Sequence, residues 1–328
     1  MRSKIFTILI LITFLCGRDI FSQTQQGKPQ YSRKTLNGFI DQYMDALIAH
    51  SPSLLPLAKN VKFTENGQQL ELGDGLWNTV SAKGTYKLYV ADQDSNEVAF
   101  MGTLRENDVP AIIAIRLKID DNKISEIETF VVRSDSGARH LEKLGNPNRL
   151  FLTSIPKEDL HFRGELIDIA NLYFSGLERN DGRGLYLFTK DCNRLENGYQ
   201  TTNHPTLTKD STVFDFQALN CIEQFRSGFF RFVTRIRDRR FVVVDRERGL
   251  VFSFAFFDHA GNVPFVIVNT GKKIPIGIKR PWTWEIAELF KIENGFISQI
   301  EALYQEAPYG MGSGWSDRKS AMSNQIQE

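Results

Sequence analysis

The chain carries one pattern twice, and a repeat restricts the fold more than any single motif does, because both copies must close a core of the same kind. In the first copy a segment of helical periodicity, Phe39 to Leu47, precedes the turn Glu65-Asn66-Gly67, and the copy ends on Ile119 to Glu128. In the second, Ile169 to Leu177 precedes Glu196-Asn197-Gly198, and the end is Ile292 to Glu301. Glu65 and Glu128 lie 63 residues apart, whereas Glu196 and Glu301 lie 105 apart, so the second copy holds about 42 extra residues. Inserted sequence between elements is where pocket rims and lids are built, so the second copy is expected to do the work and the first to support it.

The 328 residues divide naturally into two modules of ordinary domain size. The expected boundaries are a signal peptide over 1–23, a first module over 34–133, a linker over 134–163, an elaborated second module over 164–315 and a flexible tail over 316–328. Met1-Arg2-Ser3-Lys4 followed by the apolar run Ile5 to Leu15 has the charge and length of a secretory leader and is too short for a comfortable membrane span. Lipid attachment at Cys16 is the lesser alternative, because bulky Leu15 precedes it. No later run is long and apolar enough to span, so the mature chain is expected to be secreted or periplasmic, without an integral membrane segment. Cys192 and Cys221 remain, and an even pair in an oxidising compartment reads as a disulfide.

With 40 basic and 39 acidic residues there is no overall field for nucleic acid, and no nucleic-acid partner is expected. Arg231, Arg235, Arg237, Arg239 and Arg240 cluster locally; on a strand the odd-numbered four share one face, which reads first as solvated and second as a site for an acidic substrate.

Along the chain the order is helix, short helical turn (Ser53 to Ala58), Glu-Asn-Gly turn, then strand-like runs at Gly84 to Ala91, Val98 to Leu104, Ala111 to Ile119 and Ile124 to Arg133. The second copy repeats the plan, with a short helix to Phe188, strands at Phe229 to Asp245, Leu250 to Asp258, Trp282 to Ile292 and Phe296 to Tyr304, and inserted loops at Tyr199 to Phe216 and Gly261 to Arg280. This predicts an α+β protein of two tandem cone-shaped modules, each a curved antiparallel sheet wrapped around helices. The helix-turn-meander order, the Glu-Asn-Gly turn and the closing strand pair resemble the nuclear-transport-factor-2-like superfamily, which includes polyketide cyclases and ketosteroid isomerase. A narrower resemblance, to secreted bacterial and fungal tandem proteins without known function, rests on Arg239 to Asp245, Phe256-Phe257-Asp258-His259, Glu288 to Ile292 and Pro308 to Trp315. The superfamily implies an apolar pocket holding one or two polar groups, and fold alone does not fix the chemistry.

Polar residues on apolar faces are therefore the candidates, since burial moves a carboxyl or imidazole toward neutrality, where it can exchange protons. Alternation places Glu288 on one face with Trp284, Ile286, Phe290 and Ile292, and its counterpart in the first copy is Ile115. Glu288, His259, His204 and Asp245 are the catalytic candidates, with Tyr199, Trp282, Trp284, Tyr304 and Arg240 shaping a ligand site. Each has a bland alternative: an ion pair for Glu288, structural hydrogen bonding for the histidines, turn capping for Asp245. Neither histidine sits in a compact metal motif, no phosphate-binding glycine loop, Gly-x-Ser-x-Gly elbow or Cys-x-x-Cys occurs, and no cofactor is expected. The function these residues favour is cofactor-independent acid/base chemistry of the lyase, dehydratase or isomerase type on a small molecule. The alternatives are non-catalytic binding of a small ligand or glycan, and a structural pair with homodimerisation through a sheet face.

Overall fold

A computed structural model describes residues 30–207, 209 and 214–327; the proposed signal peptide lies outside them. Ser32 caps the first helix by accepting from the Thr35 amide, and α1 (Arg33–Ile48) buries Leu36, Ile40, Tyr43 and Leu47 along one stripe. The following helical turn is shorter than expected, Pro52–Leu54, and beyond Pro56 the chain becomes strand. Then come β1 (Leu57–Glu65), β2 (Gln68–Gln69), β3 (Val80–Asp92), β4 (Glu97–Glu106), β5 (Val109–Asp120) and β6 (Lys123–Val132). The linker is structured, with α2 (Asp135–Leu144) and α3 (Arg149–Leu152).

The second module repeats this as α4 (Arg163–Arg179), β7 (Phe188–Glu196), β8 (Tyr199–Gln200), α5 (Cys221–Ser227), β9 (Arg235–Asp245), β10 (Leu250–His259), the hairpin β11 (Phe265–Ile267) and β12 (Lys273–Pro275), β13 (Trp282–Glu293) and β14 (Phe296–Ala307). A last helix α6 (Arg318–Ala321) leads to β15 (Ile326–Gln327). The sheets run β2-β1-β6-β5-β4-β3 and β15-β9-β10-β13-β14-β7-β8, the same order with β15 added at one edge. Neighbours are antiparallel except that β1 lies parallel to β6, β7 to β14 and β15 to β9.

The Glu-Asn-Gly turns explain the repeat's spacing. Asn66 and Gly67 have φ of 48° and 70°, Asn197 and Gly198 46° and 86°, the left-handed pair that a two-residue hairpin requires. Each asparagine side chain then continues the sheet. The Asn66 amide accepts from the Val131 amide and donates to its carbonyl, and Asn197 does the same with Tyr304. This side-chain bridge fastens the β1–β2 and β7–β8 hairpins to β6 and β14, whose Ile-Glu pairs close the repeat.

One face of each sheet packs on its helix: β1 and β3–β6 hold Phe63, Phe100, Ile113 and Ile115 against α1, and the second sheet holds Phe257, Ile286 and Phe290 against α4. The opposite faces pack on each other, with Leu88, Met101 and Ile112 meeting Phe252, Phe254 and Leu289. The tail crosses back onto the first module, where the Trp315 indole donates to Thr64 Oγ1 at 2.9 Å and lies under Lys62 and Arg116.

Apart from Arg231, which is exposed, the arginine cluster is not a solvated face. Phe229–Phe232 forms a helical turn, and a bulge at Asp238, φ 50°, breaks the alternation assumed for β9. Arg237, Arg239 and Arg240 are all buried. Arg235 and Arg237 bind Asp258, Arg239 binds Glu178 of α4, and Arg240 binds Glu128 of the first module. Burying these guanidiniums is tolerable only because each meets a carboxylate.

Candidate functional site

A cavity of about 130 Å³ lies between α4, the inserted segment and the second sheet. Its polar end is built from three elements. Glu288 comes from β13, Tyr173 from α4, and Arg194 from β7. Phe216, Phe229, Phe230 and Phe232 of the insertion supply an aromatic wall, and Trp284 and Tyr304 of the sheet face it. Trp284 and Tyr304 pack with ring centroids 4.9 Å apart.

Glu288 is 2% exposed, and burial pushes its carboxyl up to about 8 despite the Tyr173 hydroxyl and Arg194 beside it. Its Oε2 has no hydrogen-bond partner among the described residues. The Arg194 guanidinium is held from all sides: it donates to Gln224 Oε1 at 2.6 Å, Thr201 Oγ1 at 3.2 Å and the Tyr173 hydroxyl at 3.4 Å, and pairs with Glu196 at 3.0 Å. Burial and the neighbouring Glu288 carry the Tyr173 phenol well above its ordinary range, so it remains a hydroxyl donor. The arrangement is a carboxyl that is close to half protonated near pH 8, with one free oxygen, inside an apolar chamber. Such a group can both take and return a proton.

The disulfide between Cys192 and Cys221 ties α5 to β7. It thereby fixes Gln224, which clamps Arg194, and Phe225, which packs against Tyr173 at 5.1 Å between centroids.

The structure does not bring the four catalytic candidates together. His259 pairs with Trp282 at the far end of β10, and Glu288 pairs with Ser253. Six residues separate Ser253 from His259, roughly 20 Å along a strand. His259 is stacked on Trp282 at 3.7 Å between centroids and lies against Phe232 and Trp284, behind the aromatic wall. Burial lowers its pKa to about 4, leaving a neutral ring. His204 is half-buried in the first inserted loop, with Nδ1 3.1 Å from Thr206 Oγ1, and Asp245 binds Arg33 of α1 and caps the Arg248 amide. Of the ligand-shaping candidates, Trp284 and Tyr304 line the cavity. Trp282 supports His259, Tyr199 is 42% exposed beside His140, and Arg240 bridges to Glu128.

Sequence reasoning passed over Tyr173, Arg194 and the phenylalanine wall. The repeat held the signal for the first two, because Tyr173 falls at the place of Tyr43, and Arg194 at the place of Phe63.

The family model described as a domain of unknown function, DUF8021, matches residues 29–131 and 161–304. No curated protein of known function matches the chain. Solved structures similar to it include AclR, a proposed hydroxylase from Streptomyces galilaeus, 14% identical over 39% of this chain and 92% of that one, with a TM-score of 0.27. An NTF2-like protein of unknown function from Cytophaga hutchinsonii is 12% identical over 32% of this chain and 94% of its own, TM-score 0.25. A proposed polyketide cyclase from Sinorhizobium meliloti is 15% identical over 30% and 99%, TM-score 0.24.

Proposed function

Because the chain belongs to the DUF8021 family, a domain of unknown function, we propose from its own geometry that the second module is a cofactor-independent acid/base catalyst for a small, mostly apolar molecule, of the isomerase, lyase or dehydratase type. The observation that carries this reading is the free Oε2 of Glu288, buried among aromatic rings and close to half ionised near pH 8. The ionised carboxylate takes a proton from a carbon next to a carbonyl. The electron pair left behind moves onto the carbonyl oxygen, and the protonated carboxyl then returns the proton to the same or a neighbouring carbon. Tyr173, oriented by Arg194, supplies the hydroxyl donor that holds the carboxyl in place. The roles first assigned to His259, His204 and Asp245 pass to this pair, because those three side chains lie elsewhere. A chamber of about 130 Å³ is close to the size that takes a benzene ring, which points to a monocyclic substrate. The disulfide and the apolar N-terminal run support work outside the cytoplasm.

The test is deuterium exchange in D₂O at the carbon next to the carbonyl of small cyclic and aryl ketones, followed by proton NMR. Exchange by the wild type that disappears in Glu288→Gln is the expected result. Ketones that bind without exchanging would replace catalysis by the non-catalytic ligand-binding reading, and an absence of both would sink each.

A further inference from the structure

The register of the two sheets shows a second place where the modules diverge, on the faces that meet. In the first module Glu128 lies opposite Arg116, next to Lys62 and Glu126, and Arg240 reaches it from the other module with Nη2 at 2.5 Å. The same lattice positions in the second module are Glu301 opposite Leu289, with Asn193 and Gln299 in place of Lys62 and Glu126. Tyr86 of β3 reaches Glu301 where β9 offers Arg240 to Glu128, its hydroxyl donating to Oε2 at 2.7 Å. The carboxyl is present in both modules, while the four charged neighbours of Glu128 are replaced around Glu301 by two carboxamides, a leucine and a tyrosine.

A cavity of about 250 Å³ opens there, bounded by Asn146, Asn148, Asn193, Gln200, Gln299 and Glu301. Glu301 is 2% exposed, and its Oε1 has no partner among the described residues. Its carboxyl is raised to about 7 by burial, so near neutrality it is both donor and acceptor. Two of the amides are held by one end only, whereas Asn148 donates to Gln299 and accepts from the Leu150 amide, and Asn193 donates to the Asp191 carbonyl and accepts from Asn203. Gln299 uses its oxygen on Asn148 at 3.2 Å, and Gln200 its nitrogen on the carbonyls of Thr202 and Asn203, which leaves the other amide atom of each for a ligand. Arg194 also borders the cavity, but its guanidinium is committed to Glu196, Thr201, Tyr173 and Gln224.

We propose that this inter-module cavity is a binding site for a neutral, polyhydroxylated ligand, a single sugar ring of a saccharide. Carboxamides present a donor and an acceptor side by side, which matches hydroxyls on successive carbons, and among the described residues no unpaired arginine or lysine lines the cavity to select an anion. The volume lies below that of a drug-sized pocket, as one ring requires. His140, on the cavity wall, packs its ring 5.0 Å from that of Tyr199, and this half-exposed aromatic surface suits the apolar face of the sugar. The site shares Arg194 with the Glu288 chamber but contains neither Glu288 nor Tyr173, and it does not depend on the proposed proton transfer.

Saturation-transfer NMR on the full mature protein tests this, with glucose, galactose, mannose and N-acetylglucosamine and their β-linked disaccharides as probes. The expected result is transfer from at least one of them with a dissociation constant of about 1 mM, weakened about tenfold in Gln200→Ala and in Gln299→Ala and unchanged in Glu288→Gln. Both substituted side chains lie at the module boundary outside the three apolar cores, and a thermal melt confirms that each variant is folded. No transfer from any probe overturns the proposal. So does transfer that survives both amide variants, or that is lost in Glu288→Gln.

Discussion

The helix-facing surfaces of the two sheets are the same surface built twice, dry in one module and polar in the other. Where the first has Phe63, Ile115, Thr129 and Ala111, the second has Arg194, Glu288, Ala302 and Trp284 at the corresponding places of the register. Both helices keep a tyrosine there. Tyr43 spends its hydroxyl on Thr129 Oγ1 at 3.1 Å; with alanine in that position, Tyr173 turns to Arg194 and Glu288 instead. A duplicated fold can therefore gain a polar chamber by a few coordinated exchanges while its partner copy retains the packing. The sharpest way to break the comparison is to move the carboxyl into the dry copy. Ile115 is fully buried beside Phe63 and Phe100, with no counterpart of Arg194 near it. Ile115→Glu is expected to cost about 3–5 kcal/mol, the penalty of an uncompensated buried charge, as read from urea unfolding near pH 8. A cost below about 1 kcal/mol would mean that Arg194 and Tyr173 are not what makes Glu288 tolerable.

The insertion is the other difference, and the disulfide marks its importance. Between β2 and β3 the first module has only a helical turn, Gly75–Asn78, whereas the second has the Phe216–Phe232 segment that walls the chamber. Cys192 and Cys221 close a loop of 29 residues, for which chain entropy gives about 3.6 kcal/mol. Replacing both by alanine should lower stability by about that amount. Because α5 carries Gln224 and Phe225, the chamber should also loosen before the rest unfolds, visible as faster amide exchange over 216–232 than over α1. Equal exchange in both regions would show that the wall stands without its staple.

What the sequence revealed follows from how local each feature is. The repeat, the two turns, the disulfide pair and the apolar stripe around Glu288 depend on neighbours within one strand or hairpin, and period and turn chemistry expose them. The fates of Arg240, Asp245 and His259 depend on which distant segment lies opposite. The bulge at Asp238 re-aims the arginines, α1 brings Arg33 to Asp245, and β13 sets Trp282 against His259. No periodicity encodes those meetings. The meander order also gave no warning that β1 and β7 would join parallel to β6 and β14, since those pairings close over the whole module. Tyr173 and Arg194 were reachable by a different route, reading each copy against the other residue by residue.

The effect of Glu288 itself is the one whose size depends on pH. Its folded pKa of about 8 lies above the ordinary 4.5, so the folded state holds this proton more tightly than the unfolded chain does. The stability linked to that proton is fully present below about pH 4.5 and is lost progressively as pH rises through about 8. Glu285 and Glu301, both raised to about 7, add slopes of the same sign, while His259, lowered to about 4, acts oppositely and loses its contribution as pH falls from 6.5 through 4. Comparing wild type with Glu288→Gln cancels the other three. The amide is neutral at every pH and nearly isosteric with the protonated carboxyl, so the variant should match the wild type near pH 4.5 and exceed it near pH 9 by up to about 4 kcal/mol, the linkage of a carboxyl raised from 4.5 to about 8. A difference that does not change with pH would mean that Glu288 is ionised and paired throughout. It would then resemble Glu128 in the first module, an ion-pair partner rather than a group able to exchange protons.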